Sequence, residues 1–151
     1  MIFDFSRIKN SKNLLAFSGG VDSSALFFLL LNHKIDFDIA IVNYNTREQS
    51  KDEIENALNL AKEYKKEIFV KDVKLENSSN FEKNARDIRY SFFEQIIKEN
   101  YYETLITAHQ LNDRLEWFLM QLSKGAGLVE LFGIREFEEK KDYKIFRPLL
   151  N

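Results

Sequence analysis

Apolar residues fall along this chain in short dense runs, and the runs alternate between two periods. Leu14–Phe17, Asp38–Tyr44, Glu67–Val73 and Thr104–Ala108 are compact stretches with few polar interruptions, the pattern of strands buried on both faces. Between them the apolar positions recur at helical spacing. Ala25–His33 follows the first run, Ile54, Ala57, Leu58 and Ala61 the second, Phe81, Ala85, Ile88, Phe92 and Ile96 the third, and Leu115, Leu119 and Leu122 the fourth. The S-x-x-E patterns at Ser50–Glu53 and Ser79–Glu82 read as capping boxes opening the second and third helices; Asn112 caps the fourth and Gly125 stops it. Four βα units in succession predict right-handed crossovers and an α/β fold with a doubly wound parallel sheet. Past Gly127, two short apolar pieces, LVELFGI and YKIFRPLL, flank the charged run EFEEKKD, which is expected to be a solvated loop. The pairs Phe27-Phe28 and Phe92-Phe93 are expected in the core rather than as stacking platforms.

Composition narrows the function classes. With 151 residues, 44% hydrophobic and 30% charged, the chain fits one globular domain with a real core. A net charge of −2 means that any nucleic-acid contact needs a local basic patch or a further domain. There is no cysteine, which removes disulfides, thiolate metal sites and persulfide chemistry carried by this chain. No leader pattern opens it and no apolar run reaches membrane-spanning length, so a cytoplasmic location without membrane contact is expected.

The chemistry concentrates in SGGVDSS, Ser18–Ser24, between the first strand and the first helix. In an open parallel sheet, ligands sit beyond the carboxyl ends of the strands, where such loops meet. Gly19 and Gly20 allow close backbone approach, and the N–H groups opening the helix point outward with the positive end of its dipole. That cradles an anion, phosphate above all, with Ser18, Ser23 and Ser24 as hydroxyl donors. Asp22 would repel phosphate unless a cation stands between them, so it is the expected magnesium partner. The spacing matches neither a Walker A loop nor G-x-G-x-x-G. The plain alternative is a tight turn with Asp22 and Ser23 capping a helix.

The loop resembles the pyrophosphate-binding loop of the N-type ATP pyrophosphatases, the PP-loop superfamily, which split ATP between the α and β phosphates. Other stretches resemble the tRNA(Ile)-lysidine synthetases in particular. VNYNTREQS (Val42–Ser50) stands where these have V-N-H-x-x-R. NFEKNARDIRYSFF (Asn80–Phe93) matches N-x-E-x-x-A-R-x-x-R-Y-x-F-F, AHQLNDRLEWFLMQLSKGAG (Ala108–Gly127) is similar to A-H-H-x-D-D-Q-x-E-T with its following helix, and RPLL (Arg147–Leu150) also occurs there. The chain departs from the pattern at Tyr44, Gln110, Asn112, Arg114 and Trp117, where the family has histidine, histidine, aspartate, glutamine and threonine.

The resemblance implies an enzyme using ATP and Mg2+ to adenylylate C2 of the wobble cytidine of tRNA(Ile) with a CAU anticodon, after which L-lysine displaces AMP to give lysidine. It makes Ser18, Gly19, Gly20, Val21, Asp22, Ser23, Ser24, Asn43 and His109 the expected nucleotide contacts, Asp22 the metal ligand, and Asp22, Asp113, Glu116 and Arg86 the catalytic set. Asp113 and Glu116 share a helix face at i,i+3: they either compensate the helix dipole or hold the ammonium of lysine or a metal. His109 is either a structural hydrogen-bonder or a contact to ATP or the reacting base. Arg86 and Arg89 are also i,i+3; the resemblance assigns Arg86 to substrate or phosphate and leaves Arg89 architectural, while Arg47 is a candidate near ATP or tRNA. His33 is expected on the surface. Family members continue beyond RPLL, so residues 1–151 are expected to be an N-terminal catalytic domain, truncated and without the tRNA-binding C-terminal domains, able to bind ATP but forming little lysidine alone. The alternatives are an amide-forming relative of the NAD synthetase kind and a non-catalytic nucleotide-binding module.

Overall fold

The computed structural model describes residues 3–44, 49–74, 81–108 and 135–150. Its strands are β1 Asn13–Ala16, β2 Phe37–Asn43, β3 Ile68–Asp72, β4 Thr104–Ile106, β5 Phe137–Glu139 and β6 Lys144–Phe146; its helices are α1 Val21–Asn32, α2 Gln49–Glu63 and α3 Phe81–Asn100. They form one six-stranded sheet in the order β3-β2-β1-β4-β6-β5. All neighbours are parallel except β5 and β6. The chain builds outward from β1 to β2 and β3, then returns through α3 to place β4 on the other side of β1. That reversal makes the gap between β1 and β4 the topological switch point, where such sheets open a crevice.

Alternation along the strands explains the dense apolar runs. Leu15, Ile39, Ile41, Ile106 and Phe146 pack into one core with Leu26, Phe27 and Leu30 of α1 and Ala57 and Ala61 of α2. Their neighbours Leu14, Ala40, Leu105 and Ile145 face the other side, where Phe93, Ile96 and Ile97 of α3 cover them. Both faces of the sheet are therefore buried, as a doubly wound fold requires.

Three sequence expectations change. EFEEKKD is not a solvated loop: Phe137–Glu139 is the antiparallel edge strand β5, because Phe137 stacks on Phe146 at 4.3 Å and 9° and Glu138 pairs with the buried Arg147 guanidinium at 3.1 Å. Helix α2 opens at Gln49, so Ser50 is inside the helix and not at its cap. Phe28 is 45% exposed, its ring meeting Tyr64 at the surface, whereas Phe27 is fully buried. The ends of the helices depart from glycine rules too. Each closes on a residue with left-handed backbone, Lys34, Lys65 and Tyr101, and none of the three is glycine.

Candidate functional site

A cavity of about 340 Å³ opens at the switch point. The ends of β1 and β4 supply Ala16, Phe17, Thr107 and Ala108; the end of β2 supplies Ile41, Val42, Asn43 and Tyr44; α2 adds Glu53 and Ile54, and α3 adds Arg89, Tyr90 and Phe93. Ser18, Asp22 and Ser23 line it from the loop.

The loop is shaped by its own hydrogen bonds. The Ser23 hydroxyl, 1% exposed, accepts from the Ser18 N–H at 3.2 Å, lies 3.0 Å from the Ser18 hydroxyl and donates to the Gly20 carbonyl at 3.3 Å. The Ser18 hydroxyl accepts in turn from the Gly20 N–H at 3.3 Å. Ser23 is thus a staple across the turn rather than a free phosphate donor. Gly19 has φ +81°, the conformation glycine alone adopts freely, while Gly20 at φ −77° is ordinary extended backbone. A Cβ on Gly19 would stand 2.8 Å from Glu53 Cβ, so the absent side chain is what lets α2 approach the loop. The first intrahelical bond runs from the Ser24 N–H to the Gly20 carbonyl at 3.1 Å. The N–H groups of Val21, Asp22 and Ser23 precede it and have no partner within the helix, which leaves them for an anion. Asp22, exposed in that first turn, is the carboxylate beside them.

At the far wall, Asn43 is 8% exposed and its side-chain amide donates to the Asp72 carboxylate at 3.0 Å. The Tyr44 hydroxyl donates to the Ala85 carbonyl at 3.0 Å. Burial pushes the Tyr44 phenol above its ordinary range, and the positive charge of Arg89 opposes that rise.

The expected site residues separate accordingly. The structure brings Ser18, Asp22, Ser23 and Asn43 to one cavity. Gly19, Gly20, Val21 and Ser24 shape the loop without lining it. Arg86 is not brought to the cavity: it is exposed, its guanidinium carbon 5.9 Å from the Tyr90 ring centre, and Arg89, one helical turn further on, takes the cavity wall instead. Arg47, His109, Gln110, Asn112, Asp113, Arg114, Glu116 and Trp117 lie outside the described residues. Sequence reasoning missed Glu53, Tyr44 and Arg89 as cavity residues. Glu53 was absorbed by the capping pattern, and the signal for Tyr44 was its place directly after β2.

Among the described residues no group of three or more histidine, cysteine or carboxylate side chains could enclose a metal. A cation held by Asp22 and phosphate oxygens needs no such cage, since magnesium binds through one or two carboxylates plus phosphates and keeps its waters. Asp22, with Glu53 also lining the cavity, fits that demand. No helix among the described residues is long and apolar enough to cross a membrane.

Residues 3–151 match the PP-loop domain family. The chain is 55% identical to the tRNA(Ile)-lysidine synthase of Campylobacter jejuni over 143 residues, covering 95% of this chain and 44% of that protein. It is 54% identical to the tRNA(Ile)-lysidine synthase of Helicobacter pylori, covering 95% and 42%, and 36% identical to that of Thermosipho africanus, covering 94% and 34%. The chain spans less than half the length of these relatives. Among solved structures it superposes on the U34-tRNA thiolase NcsA of Methanococcus maripaludis, with its [4Fe-4S] cluster, at a TM-score of 0.75 and 22% identity over 93% of this chain and 52% of that one.

Proposed function

The chain belongs to the PP-loop domain family, and on that premise we propose that it is the ATP-splitting core of a tRNA(Ile)-lysidine synthetase. The observation that carries the reading is the loop itself. Gly19 in left-handed backbone and the Ser23 staple turn the unpaired amides of α1 outward at the switch point, beside a cavity with the volume of a small ligand.

The chemistry suits that geometry. The C2 carbonyl oxygen of cytidine is a poor leaving group; when it attacks the α-phosphorus of ATP, pyrophosphate departs and the oxygen becomes a phosphate ester. The ε-amine of lysine then bonds to C2, the C2–O bond breaks, AMP leaves and the amine gives up a proton. The amides of Val21, Asp22 and Ser23 hold the terminal phosphates and stabilise the charge that develops on departing pyrophosphate. Asp22 holds magnesium, which supplies further neutralisation of that charge when bound. Asp113 and Glu116 orient the lysine ammonium and take its proton, since only the neutral amine is a nucleophile, and His109 contacts the nucleotide. Val21, Ser24 and Asn43 complete the nucleotide side. The named relatives at 50% identity and above support tRNA(Ile) as the substrate; its CAU anticodon and L-lysine belong to the proposal.

Incubating the chain with ATP, magnesium, labelled lysine and isoleucine tRNA tests this. ATP binding with little label on the tRNA from residues 1–151 alone is the expected result, and whatever ATP is split should yield AMP and pyrophosphate. ADP with orthophosphate, or a chain that binds no ATP, overturns it. The thiolase likeness, at 22% identity, bears on the fold alone, and this chain has no cysteine with which to carry sulfur.

A further inference from the structure

A second recess, of about 560 Å³, opens between the end of the edge strand β3 and the middle of α3. Arg89, Tyr90 and Phe93 line the cavity at the switch point, whereas Ser91 and Phe92 line the recess. At 3.6 residues per turn these are opposite sides of the helix, so the same stretch of α3 walls both spaces. They also meet at the sheet edge. Asn43 lines the cavity, its amide donates to the Asp72 carboxylate at 3.0 Å, and Asp72 lines the recess.

The recess divides its chemistry between its walls. Lys71 and Lys74 stand on the strand side, and neither forms an ion pair with a described residue. Val73, Ile88 and the ring of Phe92 make the lining between the walls apolar. Phe93 is buried, as the sequence pattern predicts, but Phe92 is only half-buried, and the Lys71 ammonium stands 5.8 Å from its ring centre. The helix side offers the exposed Asp87 carboxylate and Ser91 hydroxyl.

Two cations beside an aromatic ring, faced by hydrogen-bonding groups, suit one unpaired nucleotide: the ring stacks on the base, the ammonium groups take the phosphate and the polar wall meets the base edge. Of the two carboxylates, Asp72 is engaged by Asn43, and Asp87 on the helix wall can accept from the exocyclic amine of cytosine or adenine. Lysines on an edge strand also keep it from pairing with another sheet, but that role asks nothing of Phe92 or Ser91. We propose that this recess binds an unpaired nucleotide of the RNA strand whose reacting base enters the neighbouring cavity. The inference rests on the reading of that cavity as the site of a tRNA-modifying reaction.

Fluorescence anisotropy with a labelled single-stranded RNA heptamer of mixed sequence, alongside isothermal titration with ATP, tests it on the full 151-residue chain. Lys71→Gln and Lys74→Gln should each lower the slope of log affinity against log salt by about 0.7 and weaken RNA binding by about fivefold at about 0.1 M salt, the effect of one lost single-strand phosphate contact. Phe92→Leu should weaken RNA binding by about fivefold or more, the lower end of the base-stacking scale. ATP affinity should stay unchanged in all three. Lys98→Gln, in the last turn of α3, removes the same charge away from the recess and should leave RNA binding intact. An unchanged salt slope in both lysine variants overturns the inference. So does a loss in Lys98→Gln equal to theirs, which marks unspecific attraction, and so does an ATP affinity that falls in step with RNA affinity, which marks a single shared site. If Phe92→Leu does not fold, Ser91→Glu, which adds a carboxylate to the exposed wall, should weaken RNA binding and spare ATP binding, and no loss of RNA binding refutes the inference. An unmodified chain that binds ATP but no RNA overturns the inference alone; one that binds RNA through the recess but no ATP overturns the loop reading and leaves the recess an RNA site.

Discussion

Gly19 stands so close to Glu53 that a single methyl group on the glycine would lie 2.8 Å from the glutamate Cβ. The contact joins the loop after β1 to helix α2 and is made at a φ of +81°. The left-handed backbone disfavours a side chain at this position, and the contact with α2 leaves no room for one.

Gly19→Ala should destabilise the chain by about 1–3 kcal/mol, the combined scale of a left-handed non-glycine residue and an overpacked contact, and should also abolish ATP binding. Gly20→Ala is the control. Gly20 has ordinary extended backbone, and an added Cβ would meet only the Ser18 hydroxyl oxygen at 3.4 Å. Its stability should stay within about 0.5 kcal/mol of the unmodified chain. Urea unfolding of the two variants checks the pair, and equal losses for both would show that the turn does not depend on Gly19.

Ser23→Ala removes three hydrogen-bond contacts from a side chain that is 1% exposed. The Ser18 N–H and the Gly20 carbonyl lose that partner, at an expected cost of about 1–3 kcal/mol. Ser24→Ala, on a half-buried side chain of the same turn, should cost much less. Thermal unfolding separates the two: Ser23 staples the loop, and a Ser24 variant as damaging as the Ser23 variant would contradict that.

The sheet was legible because its signal is local. Strands buried on both faces need unbroken apolar runs, and Leu14-Leu15, Ile39-Ala40-Ile41 and Leu105-Ile106 supply them while splitting their side chains between two cores. The turn after β1 was legible because two glycines and a run of hydroxyls between two buried elements mark a tight loop at a strand's carboxyl end. The rest depends on contacts remote in sequence. EFEEKKD reads as a loop until Phe137 is seen stacked on Phe146, with the Arg7 guanidinium carbon 3.8 Å from its ring centre. The charges around it are those of an edge strand, which they protect from pairing. Arg86 and Arg89 are equivalent by spacing, and only the rotation of α3 against the sheet decides which one meets the cavity.

The chain should lose stability in alkali through three tyrosines. Burial pushes the phenols of Tyr44, Tyr102 and Tyr143 above the ordinary value near 10. Tyr102 donates to the Asp38 carboxylate at 2.6 Å and Tyr143 to the Glu94 carboxylate at 3.0 Å, and both carboxylates push their phenols further up. Below about pH 10 these phenols are protonated in both the folded and unfolded chain, and their contribution is complete. Above it the unfolded chain releases protons that the folded chain still holds, so stability falls as pH rises. Tyr102→Phe should be less stable at neutral pH, for want of the bond to Asp38, yet show a shallower alkaline decline. Unfolding free energies measured from pH 8 to 11 decide it; a decline of unchanged steepness in both Tyr102→Phe and Tyr143→Phe would refute the assignment.

Glycine at the helix ends should stabilise the protein. After α1, the Ile35 N–H bonds the Leu30 carbonyl at 3.0 Å and the Lys34 N–H bonds the Leu31 carbonyl at 3.0 Å, the paired bonds of a Schellman turn. After α2, the Lys66 N–H bonds Ala61 at 2.7 Å, and after α3 the Tyr102 N–H bonds Ile97 at 3.1 Å, in the same 6→1 pattern. The turning residues Lys34, Lys65 and Tyr101 have φ of +58°, +55° and +60°, where a Cβ crowds the following carbonyl. Ile35 and Tyr102, the residues that follow two of these turns, are buried and hold the chain to that path. Tyr101 itself is 83% exposed, so little packing offsets its strain. Tyr101→Gly should raise stability by about 0.5–1 kcal/mol, the relief of the left-handed strain less the added freedom of the unfolded chain. Lys34→Gly and Lys65→Gly should act in the same direction, and because the three sites lie on different helices their effects should add. Urea midpoints of the single and triple variants measure this. A Tyr101→Gly variant less stable than the parent would mean that the exposed ring contributes packing the turn depends on.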